Sequence, residues 1–297
     1  MYLLLRIAVG LALLGGVIFW FVTRPGGMDA DAYTGLTGDV ARGETVFWAA
    51  GCASCHAAPE SEGDARLVLA GGLPFKTDFG TFYAPNISPD PQAGIGGWSV
   101  DDLGNAMQAG VSPGGQHYYP VFPYTSYVKA TGQDIADLYA FLKTLPPVSV
   151  ANRPHDVGFP FSIRRMMGGW KLLFFGDDWA LEGDDHSDEV IRGRYLAEAL
   201  GHCAECHTPR NAIGGMDRTR WLAGGPNPSG EGKIPNITPG ALEWSAADIA
   251  EYLKSGFTPS FDVVGGEMAD VVKNISHLSD ADRAAIAAYL KAVPSVK

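Results

Sequence analysis

Residues 7–22 carry no charge, and with the apolar residues 2–5 before Arg6 they form a stretch just long enough to cross a bilayer, since a spanning helix needs about 20 apolar residues. Trp20 and Phe21 stand near its outer end, where aromatic rings favour the membrane interface. The pattern predicts one transmembrane helix within residues 1–27. The segment Thr23-Arg24-Pro25-Gly26-Gly27 that follows offers no small-x-small cleavage site, so an uncleaved anchor is expected in preference to a cleaved signal peptide. Arg6 on one side and Arg24 on the other leave its orientation undecided by charge.

Beyond the anchor, apolar residues recur at helical spacing in two corresponding places. Ile135, Leu138, Leu142 and Leu145 share one face, and Ile286, Leu290 and Val293 match three of them far downstream. A shorter helix is predicted near residues 41–50 and again near 189–200, as the partner of each stripe. Ser99 with Asp102, and Ser245 with Asp248, fit the capping box, in which a hydroxyl and a carboxylate satisfy the free amides at a helix start. Thr131 with Asp134 and Ser279 with Asp282 repeat the device before each last helix. Gly43 and Gly51 read as turn elements flanking the first helix. The intervening Gly- and Pro-rich stretches show little periodicity.

These correspondences extend to an internal duplication. Arg42-Gly43 returns as Arg192-Gly193 and Gly51 as Gly201, and Pro85-Asn86-Ile87-Ser88-Pro89 returns as Pro235-Asn236-Ile237-Thr238-Pro239, all shifted by 150. Trp98-Ser99 returns as Trp244-Ser245 with a shift of 146, and Leu142-Lys143 as Leu290-Lys291 with a shift of 148. Colinear matches with small drifts at loops describe two copies of one domain. The expected organisation is an anchor over residues 1–27, a first domain over 28–148, a linker over 149–188 and a second domain over 189–297. The linker is not a solvated tether, because residues 159–175 are apolar, aromatic and locally basic. Packing across both domains is the favoured expectation for it, with a membrane-surface helix or docking on a partner subunit as the other uses of such a surface.

Charge narrows the function classes. Lys and Arg total 22 against 33 Asp and Glu, a net charge of −11, and no basic stripe exists to meet phosphates, which excludes nucleic acid as a partner. No Ser/His/Asp arrangement, carboxylate pair or phosphate-cradling loop stands out, and His155, His186 and His277 lack metal-ligand spacing.

The chemistry lies in a pentapeptide that occurs twice and uses every cysteine: Cys52-Ala53-Ser54-Cys55-His56 and Cys203-Ala204-Glu205-Cys206-His207. Two thiols at this spacing can each add to a vinyl group of one haem while the next residue offers an imidazole to the iron. Two covalently attached c-type haems are expected, held by Cys52, Cys55, Cys203 and Cys206, with His56 and His207 as proximal ligands. A zinc knuckle could use both cysteine pairs but leaves the histidines unexplained, and so does a dithiol redox pair.

With these motifs in view, both domains resemble class I cytochrome c. The chain from about Asp29 onward resembles the cytochrome subunits of membrane-bound alcohol, gluconate and aldehyde dehydrogenases. The resemblance rests on Tyr83-Ala84-Pro85-Asn86-Ile87-Ser88-Pro89-Asp90, Tyr119-Pro120 with Pro123-Tyr124-Thr125-Ser126-Tyr127, and Gly266-Glu267-Met268-Ala269-Asp270. Those subunits often carry three haems, whereas this chain has two motifs. The resemblance implies a mostly α fold in which the transmembrane helix precedes two class I cytochrome c domains. It also implies electron transfer from a dehydrogenase or quinol-side donor to a soluble cytochrome or terminal oxidase, rather than catalysis, with a di-haem peroxidase-like enzyme or an accessory cytochrome subunit of a dehydrogenase or oxidase complex as the alternatives. Haem attachment of this type implies the bacterial cytoplasmic membrane, with the haem domains facing the periplasm.

The resemblance places Met268, before the last helix, as the sixth ligand of the second haem, a His/Met pair that raises the reduction potential. A shift of 146 from Met268 lands on Phe122, which cannot bind iron. The first haem is then expected to take His117, five residues upstream, or to stay open or water-bound, with Met107, Met166 and Met167 as further alternatives. An open iron would admit small ligands and peroxide chemistry.

Overall fold

The computed structural model describes residues 1–29, 31–227 and 232–297. Helix α1 (Tyr2–Val22) has every residue exposed, as a helix built to face lipid would. Its last turn is closed by Thr23, whose amide and hydroxyl both donate to the Phe19 carbonyl.

The first repeat is built from α2 (Val40–Ala49), α3 (Cys52–His56), a hairpin of β1 (Pro74–Thr77) and β2 (Gly80–Tyr83), α4 (Val100–Ala109), the short α5 (Tyr124–Tyr127) and α6 (Gly132–Leu142). Then α7 (Met166–Phe174) stands between the repeats. The second repeat has α8 (Asp188–Arg194), α9 (Ala204–His207), a two-residue ladder of β3 (Gly225–Pro226) with β4 (Lys233–Ile234), α10 (Ala246–Ser255), α11 (Glu267–Ile275) and α12 (Asp280–Ala292). In each repeat the last helix packs on the first, α6 on α2 and α12 on α8. The predicted stripes line these contacts: Ile135, Leu138, Leu142 and Leu145 are buried, as are Ile286, Leu290 and Val293. Burying such side chains contributes on the order of 1.5–3 kcal/mol each.

The crossings depend on glycine. Gly43 lies inside α2, and a Cβ there would sit 2.0 Å from the Asp137 carbonyl oxygen of α6. Gly193 in α8 repeats this, with a Cβ falling 1.8 Å from the Ala285 oxygen of α12. The expectation of Gly43 as a turn element is therefore corrected: hydrogen in place of a side chain lets two helix backbones touch. Beside Gly43, Asp137 is fully buried. Burial opposes its ionisation, yet hydrogen bonds from Arg42, the Asp39 amide and Gln133 outweigh that and hold its carboxyl below the ordinary range.

Capping boxes form at Ser99/Asp102 and Ser245/Asp248. At α6 the box is opened across the repeats. The Thr131 amide donates to the Tyr195 hydroxyl at 3.0 Å, and that hydroxyl donates to Asp134, so a residue of the second repeat completes the cap.

Residues 195–200 continue α8 as a π-type turn, which inserts one extra residue into a helix. This accounts for the change of the repeat shift from 150 at Gly193 to 151 at Cys203. With the cysteines aligned, Gly51 corresponds to His202 rather than Gly201, and both have positive φ, 67° and 41°.

Candidate haem sites

Gly51 caps α3 in the left-handed conformation, turning the chain so that Cys52 and Cys55, one helical turn apart, precede His56 on a single short helix. In the second repeat, Cys203 and Cys206 are set the same way around α9. No disulfide links the thiols. Burial pushes the thiols of Cys52, Cys55 and Cys203 up to about 12. A redox dithiol requires a depressed thiol pKa, so this environment argues against that alternative. Among the described residues, no group of three or more His, Cys, Asp or Glu converges to hold a metal ion.

Each motif histidine is oriented from behind. His56 Nδ1–H donates to the Pro85 carbonyl at 2.7 Å and His207 Nδ1–H to that of Pro235 at 2.9 Å. Because a carbonyl only accepts, both rings carry their proton on Nδ1 and leave the Nε2 lone pair for a metal. Burial lowers the pKa of both rings, which favours that neutral form. The carbonyls are fixed in turn by the repeated pentapeptide. Asn86 Nδ2 donates to the carbonyls of Val148 and Val150 at 2.6 and 3.0 Å, and Asn236 Nδ2 to that of Val296 at 2.8 Å. Asn86 Oδ1 accepts from the Ser88 amide and Asn236 Oδ1 from the Thr238 amide, each at 2.9 Å. The Pro-Asn-Ile-Ser/Thr-Pro loop thus ties the ligand-bearing histidine to the segment after the last helix. Two thiols one turn apart and an imidazole with a free, oriented Nε2 fit a covalently attached c-type haem in both repeats.

At the positions expected to supply a sixth ligand the repeats differ. Met268 lies in the first turn of α11, half-buried and outside the main apolar core. Phe122 is half-buried against Tyr118 and Tyr127, each with ring centroids 5.7 Å away. His117 meets the anchor exit. It pairs with Val111 in the same bridge that joins Val263 to Phe257 in the second repeat. Its ring is buried, with Nε2 2.9 Å from the Thr23 carbonyl at the anchor exit and Nδ1 unpartnered. Ligation by His117 would require breaking that bond and swinging the ring out of a pocket floored by Gly168. Met107 is buried in the first repeat's core, and Met166 and Met167 begin α7, which packs on the anchor.

Each motif is hydrogen-bonded to the other repeat. Ser54 of the first and Glu205 of the second occupy the same motif position, and each meets a helix of the other repeat, α11 and α5 respectively. Asn274 Nδ2 donates to Ser54 Oγ at 2.6 Å, while Thr125 Oγ1 donates to Glu205 at 2.5 Å. Arg66, nearly fully buried, reaches Asn274 Oδ1 at 2.7 Å and Asp270 at 3.2 Å. Tyr127 donates to the Ala50 carbonyl at 2.8 Å and packs edge-on against His202, and Trp48 stacks on His277 with ring centroids 3.8 Å apart. Sequence reading gave none of these residues an interface role, and Arg66, Asn274, Trp48 and His202 carried no signal at all.

Comparison with known proteins agrees with this geometry. Residues 40–146 match the family model described as cytochrome c, and residues 188–290 match that of cytochrome c oxidase, cbb3-type, subunit III. A diheme cytochrome c-type protein of Cereibacter sphaeroides is 60% identical over 293 residues, covering 99% of both chains. The fructose dehydrogenase cytochrome subunit of Gluconobacter japonicus is 35% identical over 86% of this chain, and the gluconate 2-dehydrogenase cytochrome c subunit of Pantoea cypripedii is 37% identical over the same share. The chain spans 53% and 59% of those two relatives. With two such sites, two matching cytochrome domains and a relative alike from end to end, the chain belongs to the di-haem c-type cytochromes.

Proposed function

We propose that this cytochrome is a membrane-tethered electron carrier. On this reading it takes electrons from a periplasmic dehydrogenase or respiratory donor and delivers them to a soluble cytochrome or terminal oxidase. The observation that supports the reading is that each attachment motif is hydrogen-bonded to the other repeat, Ser54 by Asn274 and Glu205 by Thr125, which would keep two haems near one shared interface. The bound haems supply one-electron iron chemistry. The chain's own residues would hold them: Cys52, Cys55, Cys203 and Cys206 through thioether bonds, His56 and His207 through Nε2, and Met268 as a further ligand of the second haem. The dehydrogenase as donor is supported by the relatives that are named as cytochrome subunits of dehydrogenases. Helix α1 is the one helix among the described residues long and apolar enough to cross a membrane. It would anchor the chain in the bacterial cytoplasmic membrane with the haem domains on the periplasmic side.

A second reading has its own support. Phe122, at the repeat position of Met268, offers no ligand and His117 is engaged at Thr23; an open first iron would make the chain a peroxide-reactive haem enzyme. Low-temperature electron paramagnetic resonance of the oxidised protein, with and without peroxide, separates the two. Two low-spin signals that peroxide leaves unchanged support the carrier. A high-spin signal that Phe122→Met converts to low spin, and that peroxide alters in the unsubstituted protein, would overturn it. Met268→Ala should abolish the weak near-infrared sulfur-to-iron band; persistence of the band would remove Met268 as ligand.

A further inference from the structure

Helix α7 and the segment before it present an apolar surface that no part of the described chain covers. Phe159, Leu172 and Leu173 are 83%, 61% and 70% exposed, and Ile163 and Met166 are exposed with them. Its place in the fold identifies what covers it. A Cβ on Gly168 would lie 2.2 Å from the Thr23 carbonyl, and one on Gly169 would lie 3.2 Å from the Phe19 ring. Arg165 stacks over the Trp20 ring at 4.1 Å, donates to the Trp20 carbonyl and reaches Thr23 Oγ1 at 3.3 Å. So α7 is bolted to the last turn of the anchor.

Depth follows from length. A helix rises 1.5 Å per residue, so the 21 residues of α1 span about 32 Å, which only just covers a hydrocarbon core of about 30 Å. Its last turn therefore lies at the bilayer edge, and whatever touches Phe19, Trp20 and Thr23 lies within about one 5.4 Å turn of that edge. The chemistry of the surface suits the level. Apolar side chains face outward, Arg24 is exposed at the anchor exit, and Arg165 sits beside Trp20. Aromatic and apolar groups flanked by guanidinium suit a boundary of acyl chains and phosphates.

We propose that residues 159–173 lie in the phospholipid interface beside the anchor, as a second membrane contact that fixes the orientation of the haem pair. The proposal rests on α1 spanning the membrane. The other face of α7 carries the orientation into the protein. Lys171 Nζ donates to the Ala109 and Gly110 carbonyls of the first repeat at 2.6 and 2.8 Å. Trp170 Nε1 donates to the Ile213 carbonyl of the second at 2.9 Å. Both repeats are thus braced against a helix that is braced against the membrane.

The test uses the full chain, loaded with haem and reconstituted alone into vesicles of phosphatidylethanolamine and phosphatidylglycerol. All four native cysteines are occupied by haem, so an introduced cysteine takes a nitroxide label selectively. Labels at Leu173→Cys and Phe159→Cys are compared with Leu13→Cys in the anchor and Glu251→Cys on α10, by collision with oxygen and with a water-soluble nickel chelate. The expected oxygen-to-nickel ratio is several-fold higher at 159 and 173 than at 251, approaching that at 13. Ratios at 159 and 173 equal to that at 251, with 13 still lipid-buried, would overturn the proposal while leaving the anchor intact and would assign the surface to a protein partner. A water-exposed label at 13 would overturn the anchor and the proposal together. Two label sites keep the test decisive should one variant fail to load haem.

Discussion

Arg66→Ala should loosen the interface between the haem sites. The guanidinium is nearly fully buried and links the first repeat to two residues of α11, Asn274 at 2.7 Å and Asp270 at 3.2 Å. Asp270 is about half exposed, so its ion pair is screened by solvent and contributes little. Asn274 is 1% exposed, and losing the charged donor leaves its Oδ1 buried and unpaired. A hydrogen bond from a charged group is worth about 1.5–3 kcal/mol and a stranded buried acceptor costs about 1–3 kcal/mol, overlapping quantities that together give a loss of about 2–4 kcal/mol. With a urea dependence of about 3 kcal/mol per molar for a chain of this size, the midpoint should fall by about 1 M. Far-UV circular dichroism reads the midpoint. The Soret dichroism of the same samples, in which neighbouring haems give a split couplet, reads whether the sites still face one another. The couplet should weaken before the helical signal is lost. A wild-type midpoint with an unchanged couplet would refute the assignment of Arg66 to the interface.

Other perturbations test separate links. Phe122→Met should place a thioether opposite His56, add a second near-infrared sulfur-to-iron band and raise the potential of the first haem; a fully loaded variant without that band would show that position 122 does not face the iron. Gly193→Ala forces a carbon to 1.8 Å from the Ala285 oxygen. Overpacking costs of about 1–3 kcal/mol or more, offset by up to about 1 kcal/mol of helix propensity, should lower Tm, whereas Gly158→Ala, with open space around it, should not. Equal Tm values for the two would refute the close crossing. Asp137, held below the usual carboxylate range, contributes stability above about pH 4, its unfolded value, and loses it as acid protonates the folded form. Asp137→Asn should therefore be less stable at neutral pH and flatten the acid limb of a Tm-against-pH profile; an unchanged acid limb would remove Asp137 as its source.

What could be read along the chain was whatever is encoded over short spans. The Cys-x-x-Cys-His pentapeptides carry their haem chemistry in five consecutive residues. The stripe from Ile135 to Leu145 declares a helix face through its 3.6-residue period, and Ser99 with Asp102 declares a helix start because a cap is settled within one turn. Duplication strengthened each signal by showing it twice, and the shift from 150 to 151 even recorded the extra residue that the fold absorbs as a π turn.

The tertiary structure decided what depends on distant neighbours. Gly43 looks like any loop glycine until α6 crosses it. Arg66 is separated by more than two hundred residues from Asp270 and Asn274, and as a polar residue in an aperiodic stretch it cannot be told from a solvated one. Tyr195 completes a cap that belongs to the other repeat. His117, a metal-binding residue type in the right loop, turns to Thr23 because the anchor exit and α7 close over that side of the first repeat. Local periodicity reports the face a segment must bury; which partner buries it, and what a polar group meets there, is set by long-range packing.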